Sequence, residues 1–117
     1  MVVEENNSSQ NNKFIKGNLK FAVIGHIEWI NFLEVDQLPK PGIISHSKKS
    51  EEYPAGGGSV IAKRLSELTN SEVHFFTALG KDFYGEQCLD ILEKMGIKLH
   101  VAWHDKPTRK GFSLIDS

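Results

Sequence analysis

Two short apolar runs, each closed by glycine, constrain this chain most: FAVIG at residues 21–25 and FFTALG at residues 75–80. An unbroken apolar run needs cover on both faces, so the first reads as a buried, parallel, central strand. The second, within residues 71–80, reads as an aromatic-rich strand. Between and beyond them the apolar period becomes helical. Ile61, Leu65 and Leu68 recur at i, i+4, i+7, with Lys63, Arg64 and Glu67 elsewhere, which predicts a helix over 59–68. Tyr84, Cys88, Ile91 and Met95 form a second such stripe, opened by Asp82 as N-cap, with Glu86 near the positive end and Gly96 as the stop. Strands that alternate with helices predict an α/β sheet with right-handed crossovers.

The remaining segments fit around that frame. IEWINFLEV, residues 27–35, predicts a second extended or irregular stretch, and DQLPKPG, residues 36–42, breaks it with two prolines. Residues 43–53 place Ile43, Ser45 and Ser47 opposite Ile44 and His46, which suits an exposed hairpin or lid strand. IKLHVAWH and RKGFSLID read as two more strands, and the last ends without a cap, as if the chain were cut off. Residues 1–18, rich in Asn, Ser and Gln, hold too little apolar surface to offset ordering entropy and predict a disordered tail.

Composition excludes several classes. A net charge of -1 argues against a nucleic-acid binder that relies on bulk positive charge. The single cysteine, Cys88, rules out an intrachain disulfide and a cysteine-based zinc cluster. No apolar run approaches membrane-spanning length, and the N-terminus lacks the basic start and apolar stretch of a secretory signal. A cytoplasmic protein is expected.

Residues 51–68, EEYPAGGGSVIAKRLSEL, carry the most suggestive chemistry. A phosphate-binding P-loop needs G-x-x-x-x-G-K-[ST], but Lys63 is followed by Arg64, so that motif fails. The dinucleotide pattern G-x-G-x-x-G fails as well. What remains is a donor-rich concavity, where Gly56, Gly57 and Gly58 lead into helix amides without internal partners. It suits an anion or a ligand's hydroxyls; a flexible turn with tight helix packing is the other reading. Glu28 stands three residues beyond Gly25, past the carboxyl end of the first strand, where open α/β sheets bind ligands. Glu34 and Asp36 follow it. His100 and His104 have helical metal-ligand spacing but fall on a predicted strand, so packing or surface roles are expected of them, as core or rim roles are of Trp29 and Trp103. Cys88, on an apolar helix face, reads as a buried thiol.

Four segments in order resemble the N-terminal part of the ribokinase family, the PfkB-type carbohydrate kinases: FAVIGHIEWI, LPKPG, AGGGSVIAKRLSEL and LGKDFYGEQCLDILEKMGI. The resemblance runs from about Phe21 to Asp116. It implies part of a ribokinase-like three-layer α/β sandwich over residues 19–117, truncated, with a small β lid that includes residues 36–55. In that family the glycine cluster and the loop after the first strand contact the phosphoryl acceptor, usually a sugar, and ATP sits elsewhere. By position, Gly56, Gly57 and Gly58 would approach the acceptor, and residues 26–30, Glu28 among them, would line its pocket. Family members usually place Asp where Ile30 stands and Asn where Val60 stands, so the acceptor expected here is not an ordinary sugar.

The family's glycine-rich anion hole, catalytic aspartate and nucleotide loops lie in a C-terminal half, and no GAGD-like run occurs in this sequence. No catalytic residue is therefore expected in this chain. ATP and Mg²⁺ are expected for the full-length parent, and the fragment alone is expected to be inactive. The resemblance implies the acceptor-binding side and lid of an ATP-dependent kinase acting on a hydroxyl of a sugar or related small molecule. A noncatalytic ligand-binding or interaction module, or a degenerate remnant, stays open. The expected partner is a sugar-like hydroxyl acceptor, with neither nucleic acid nor membrane, and a homodimer through lid strands is open.

Overall fold

The computed structural model describes residues 19–116, and the predicted tail at 1–18 lies outside the described residues. The elements in order are β1 (Lys20–Ile24), β2 (Glu28–Val35), β3 (Lys49–Ala55), α1 (Gly57–Leu68), β4 (Glu72–Gly80), α2 (Phe83–Lys94), β5 (Lys98–His104) and β6 (Lys110–Asp116). They form two three-stranded sheets. One has the order β1-β4-β5 and is wholly parallel, with Val23 opposite Phe75 and Phe75 opposite Leu99. The other has the order β3-β2-β6, with β2 antiparallel to β3 and parallel to β6.

The core lies between the parallel sheet and the two helices. Val23, Val73, Phe75 and Leu79 from the strands meet Ala62, Cys88 and Leu92 from the helices, and Trp29 and Ile97 close the cluster. Phe75 and Leu79 are completely enclosed, and each such side chain stabilises the fold by roughly 2 kcal/mol on burial. The opposite face of the sheet is open: Ile24 is 84% exposed, and Phe76, Ala78, His100 and Ala102 are exposed too. The described residues thus form two layers, and a three-layer sandwich would need further helices on that face.

Four sequence expectations change. β1 is parallel but stands at the edge of the described sheet, and β4 takes the centre. Residues 43–47 are not strand; β3 starts at Lys49, while the 27–35 stretch becomes the regular strand β2. The buried side of α1 is Gly58, Ser59 and Ala62, with Ile61 55% exposed, because the helix docks through its smallest residues against the end of β1. In α2, Cys88 is buried as read and Met95 is exposed, with Gly85 and Leu92 turned inward instead.

The helix ends follow their sequence signals. The Asp82 carboxylate accepts from the Gly85 amide at 2.8 Å, capping α2. Gly96 adopts φ +83°, a left-handed conformation that glycine reaches without a Cβ clash, and turns the chain toward β5. No helix among the described residues is long and apolar enough to cross a membrane.

Candidate functional site

A cleft of about 460 Å³ opens at the carboxyl ends of the three parallel strands. Gly25, His26 and Ile27 follow β1, Ala78 comes from β4, His104 ends β5, and Lys106, Pro107 and Arg109 belong to the β5–β6 connection. Parallel strands end here with their connections diverging, which is where open α/β sheets leave room for ligands.

The β5–β6 connection is held over the cleft by one buried residue, Thr108, which is 3% exposed. Its amide donates to Asp82 Oδ2 at 2.7 Å and its hydroxyl to Asp82 Oδ1 at 2.7 Å. The Gly80 amide in turn donates to the Thr108 hydroxyl oxygen at 3.1 Å. The glycines of this G-x-D-x-x-G turn are steric requirements. A Cβ on Gly80 would come within 2.5 Å of the Lys106 carbonyl, and one on Gly85 would collide with the Gly80 carbonyl. Burial pulls the Asp82 carboxyl upward, but the Thr108 and Gly85 hydrogen bonds outweigh it and hold the group below its ordinary value. Asp82 is therefore an anchor.

The glycine triplet meets His26 at the other wall. Gly56 takes φ +93°, and a Cβ there would come within 3.0 Å of the His26 ring. A Cβ on Gly58 would approach the Gly25 carbonyl carbon to 2.8 Å. The free amides at the start of α1 are partly engaged: Gly58 donates to the His26 carbonyl at 3.1 Å and Gly57 to His26 Nε2 at 3.3 Å. Gly56, Gly57, Gly58 and Glu28 are not among the walls of the cleft. Each adjoins His26, which is, and Glu28 Oε1 lies 4.0 Å from His26 Nε2. Ile30 sits on β2 between Tyr53 and Gly111, and Val60 opens onto a separate groove with Tyr53, Lys63 and Ile91. The structure does not bring Ile30 and Val60 into one pocket with Glu28.

Sequence reasoning missed Lys106, Thr108 and Arg109. The signal was present, because the rule that singles out Glu28 beyond β1 applies equally to the polar residues beyond β5. Both cations are exposed and neither has a hydrogen-bond or ion-pair partner among the described residues. His104 also lines the cleft, and its buried Nδ1 has no hydrogen-bond partner among the described residues.

Other candidates resolve away from the cleft. His100 faces His74 across β4 and β5, Nε2 to Nδ1 at 2.8 Å, rather than joining His104. Glu72, beside them, is lowered to about 2 by the Lys98 ammonium and then by His74. No three His, Cys, Asp or Glu side chains among the described residues converge to hold a metal ion. Cys88 is buried, and desolvation, aided by the Asp82 charge, pushes its thiol up to about 12, so it carries no nucleophilic role. Trp29 is core: its indole N–H donates to Glu52 at 3.2 Å and its ring packs on Tyr84.

The pfkB family carbohydrate kinase model matches residues 18–117. The chain belongs to the pfkB family of carbohydrate kinases. No curated protein sequence matches it significantly. Solved structures share its fold: a ribokinase from Giardia lamblia has a TM-score of 0.77 and 21% identity, over 84% of this chain and 32% of its own. A ribokinase from Thermotoga maritima matches with TM-score 0.68 and 26% identity, over 85% of this chain and 33% of its own. Phosphofructokinase-2 from Escherichia coli, solved in complex with fructose-6-phosphate, matches with TM-score 0.69 and 14% identity, over 86% and 32%. The pfkB-family chain spans about a third of the length of the solved structures it matches.

Proposed function

We propose that this chain is the acceptor-binding side and lid of an ATP-dependent kinase that phosphorylates a hydroxyl of a sugar or related small molecule. The observation that supports it is the cleft beyond β1, β4 and β5, framed by His26 with its glycine-capped helix on one side and the anchored β5–β6 connection on the other. In this reading residues 19–117 are one part of a single α/β domain, residues 36–55, which include β3, belong to the lid, and Glu28 and Gly56–Gly58 act at the acceptor through and beside His26. His26 would exchange its bond to the Gly57 amide for one to an acceptor hydroxyl, freeing that amide to donate as well. Kinases of this family use ATP and Mg²⁺, and in this reading both belong to the longer protein rather than to this chain. Residues outside this chain would hold them, and no catalytic step is assigned to this chain.

The test is ADP release and product formation with a panel of sugars, comparing this chain with the longer protein. Mg²⁺- and ATP-dependent transfer is expected from the longer protein and none from residues 1–117; turnover by this chain would refute the division of labour. A noncatalytic binding module is the second reading, favoured by Ile30 and Val60, whose apolar side chains stand where the resemblance expects Asp and Asn. Ligand binding by the longer protein with no transfer under any condition would select it.

A further inference from the structure

The open face of the parallel sheet carries a pair of histidines that the cleft does not use. His74 on β4 and His100 on β5 stand diagonally across neighbouring strands, since His74 pairs with Lys98 and Phe76 with His100. Their ring planes are within 15° of parallel, and His74 Nδ1 faces His100 Nε2 at 2.8 Å. A gap that short holds one proton, with one ring donating and the other accepting. Glu72 decides which. Its Oε2 lies 3.5 Å from the buried His74 Nε2, and Lys98, then His74, hold its carboxyl ionised, lowered to about 2. A carboxylate beside the far nitrogen keeps the proton on Nε2 and leaves the Nδ1 lone pair toward His100. Phe76 steadies the other ring, stacked on His100 at 4.4 Å and 11°. The ammonium groups nearby, Lys20 and Lys98, are both engaged by Glu72. A carboxylate-backed histidine whose free nitrogen meets a second imidazole on a rigid strand pair is an arrangement that divalent transition metals use. Tetrahedral zinc at its usual bond lengths sets two ligand nitrogens roughly 3.4 Å apart, so the pair must open by about half an ångström. His100 is exposed, so its ring has room to make that movement.

We propose that His74 Nδ1 and His100 Nε2 bind a transition-metal ion, Zn²⁺ or Cu²⁺, in place of their shared proton, with Glu72 as the positioning residue behind His74 and solvent in the remaining positions. The site is independent of the kinase reading. Imidazole suits these ions, whereas Mg²⁺ is a hard ion that takes oxygen ligands, so magnesium has no place here. Titration calorimetry on the full chain with ZnCl₂, CuCl₂ and MgCl₂ tests it. Saturable binding of Zn²⁺ and Cu²⁺ at this site is expected, and none of Mg²⁺. His74→Ala and His100→Ala should each abolish that binding with an unchanged circular dichroism spectrum. Glu72→Gln, which removes only the orienting charge, should weaken it roughly tenfold. His46→Ala, in an exposed loop, should leave it intact. Electron paramagnetic resonance of the Cu²⁺-loaded parent chain should show coupling to two imidazole nitrogens, a signature that needs no variant to fold. No saturable binding, an affinity unmoved by His74→Ala or His100→Ala, the same affinity in Glu72→Gln, Mg²⁺ binding as tightly as Zn²⁺, or a Cu²⁺ spectrum without two nitrogen ligands would each overturn the proposal.

Discussion

Gly56–Gly58 and Gly80–Gly85 both deliver the chain into a helix through backbone that tolerates no added carbon at key positions, yet they differ in what they leave available. At the second turn, Asp82, Thr108 and the Gly80 and Gly85 amides satisfy one another, and the nearest neighbour of each glycine is a backbone atom. At the first, the partner of the Gly57 amide is a histidine ring whose side chain is 54% exposed and free to turn away. Tight glycines therefore report packing in both places. Only the first turn keeps a donor that a ligand could claim.

The comparison breaks most sharply at Gly85. Gly85→Ala is expected to cost about 3 kcal/mol, at the upper end for overpacking, since its Cβ would meet the Gly80 carbonyl with no flexible side chain to yield. Urea unfolding reads this directly, and a loss under about 1 kcal/mol would mean the joint is plastic.

Thr108→Val comes next, at about 2 kcal/mol, because it strips a donor from Asp82 and leaves the Gly80 amide without its acceptor. The same joint sets an acid limit. The folded Asp82 carboxyl sits below its ordinary value of 3.8, so its contribution is complete above that pH and is lost as pH falls through the lowered folded value. Stability measured from pH 5 downward should fall less steeply in Thr108→Val than in the parent chain. An unchanged slope would assign the acid response elsewhere, for example to Glu72, which loses its contribution between 4.5 and about 2.

The first turn should split within itself. Gly58→Ala, forced toward Gly25 and Phe75, is expected to cost about 1–2 kcal/mol, whereas Gly57→Ala, whose Cβ would rest 3.5 Å from the His26 ring, should stay within about 0.5 kcal/mol. Equal costs would show that the triplet is uniformly structural. The smallest effect belongs to His26→Ala, under about 1 kcal/mol for an exposed bond, and its signature is faster hydrogen exchange at the Gly57 amide.

Much of the architecture was legible along the chain. The glycine-closed apolar runs, the Asp82 cap and the Gly96 stop are local statements, decided by a residue and its near neighbours, and each appears in the fold. The helix stripes were less secure, because Ile61 and Leu68 have the right spacing but the direction a helix docks depends on its partner. Gly25 and Gly58 allow backbone to approach backbone, and that contact turns the small face of α1 inward. The candidate site divided in the same way. Glu28 and the glycines were visible as chemistry, but that His26 stands between them and the cleft is a matter of long-range geometry.

The sequence by itself determined the alternation of strand and helix, the helix boundaries and the family, since these follow from local period, capping chemistry and motif order. Only the tertiary structure decided which strand is central, and that Lys106 and Arg109 share a cleft with residues some eighty positions earlier. Parallel pairing joins β1 to β4 and β4 to β5 across crossovers, so the residues at their carboxyl ends meet in space without any periodic trace in the chain.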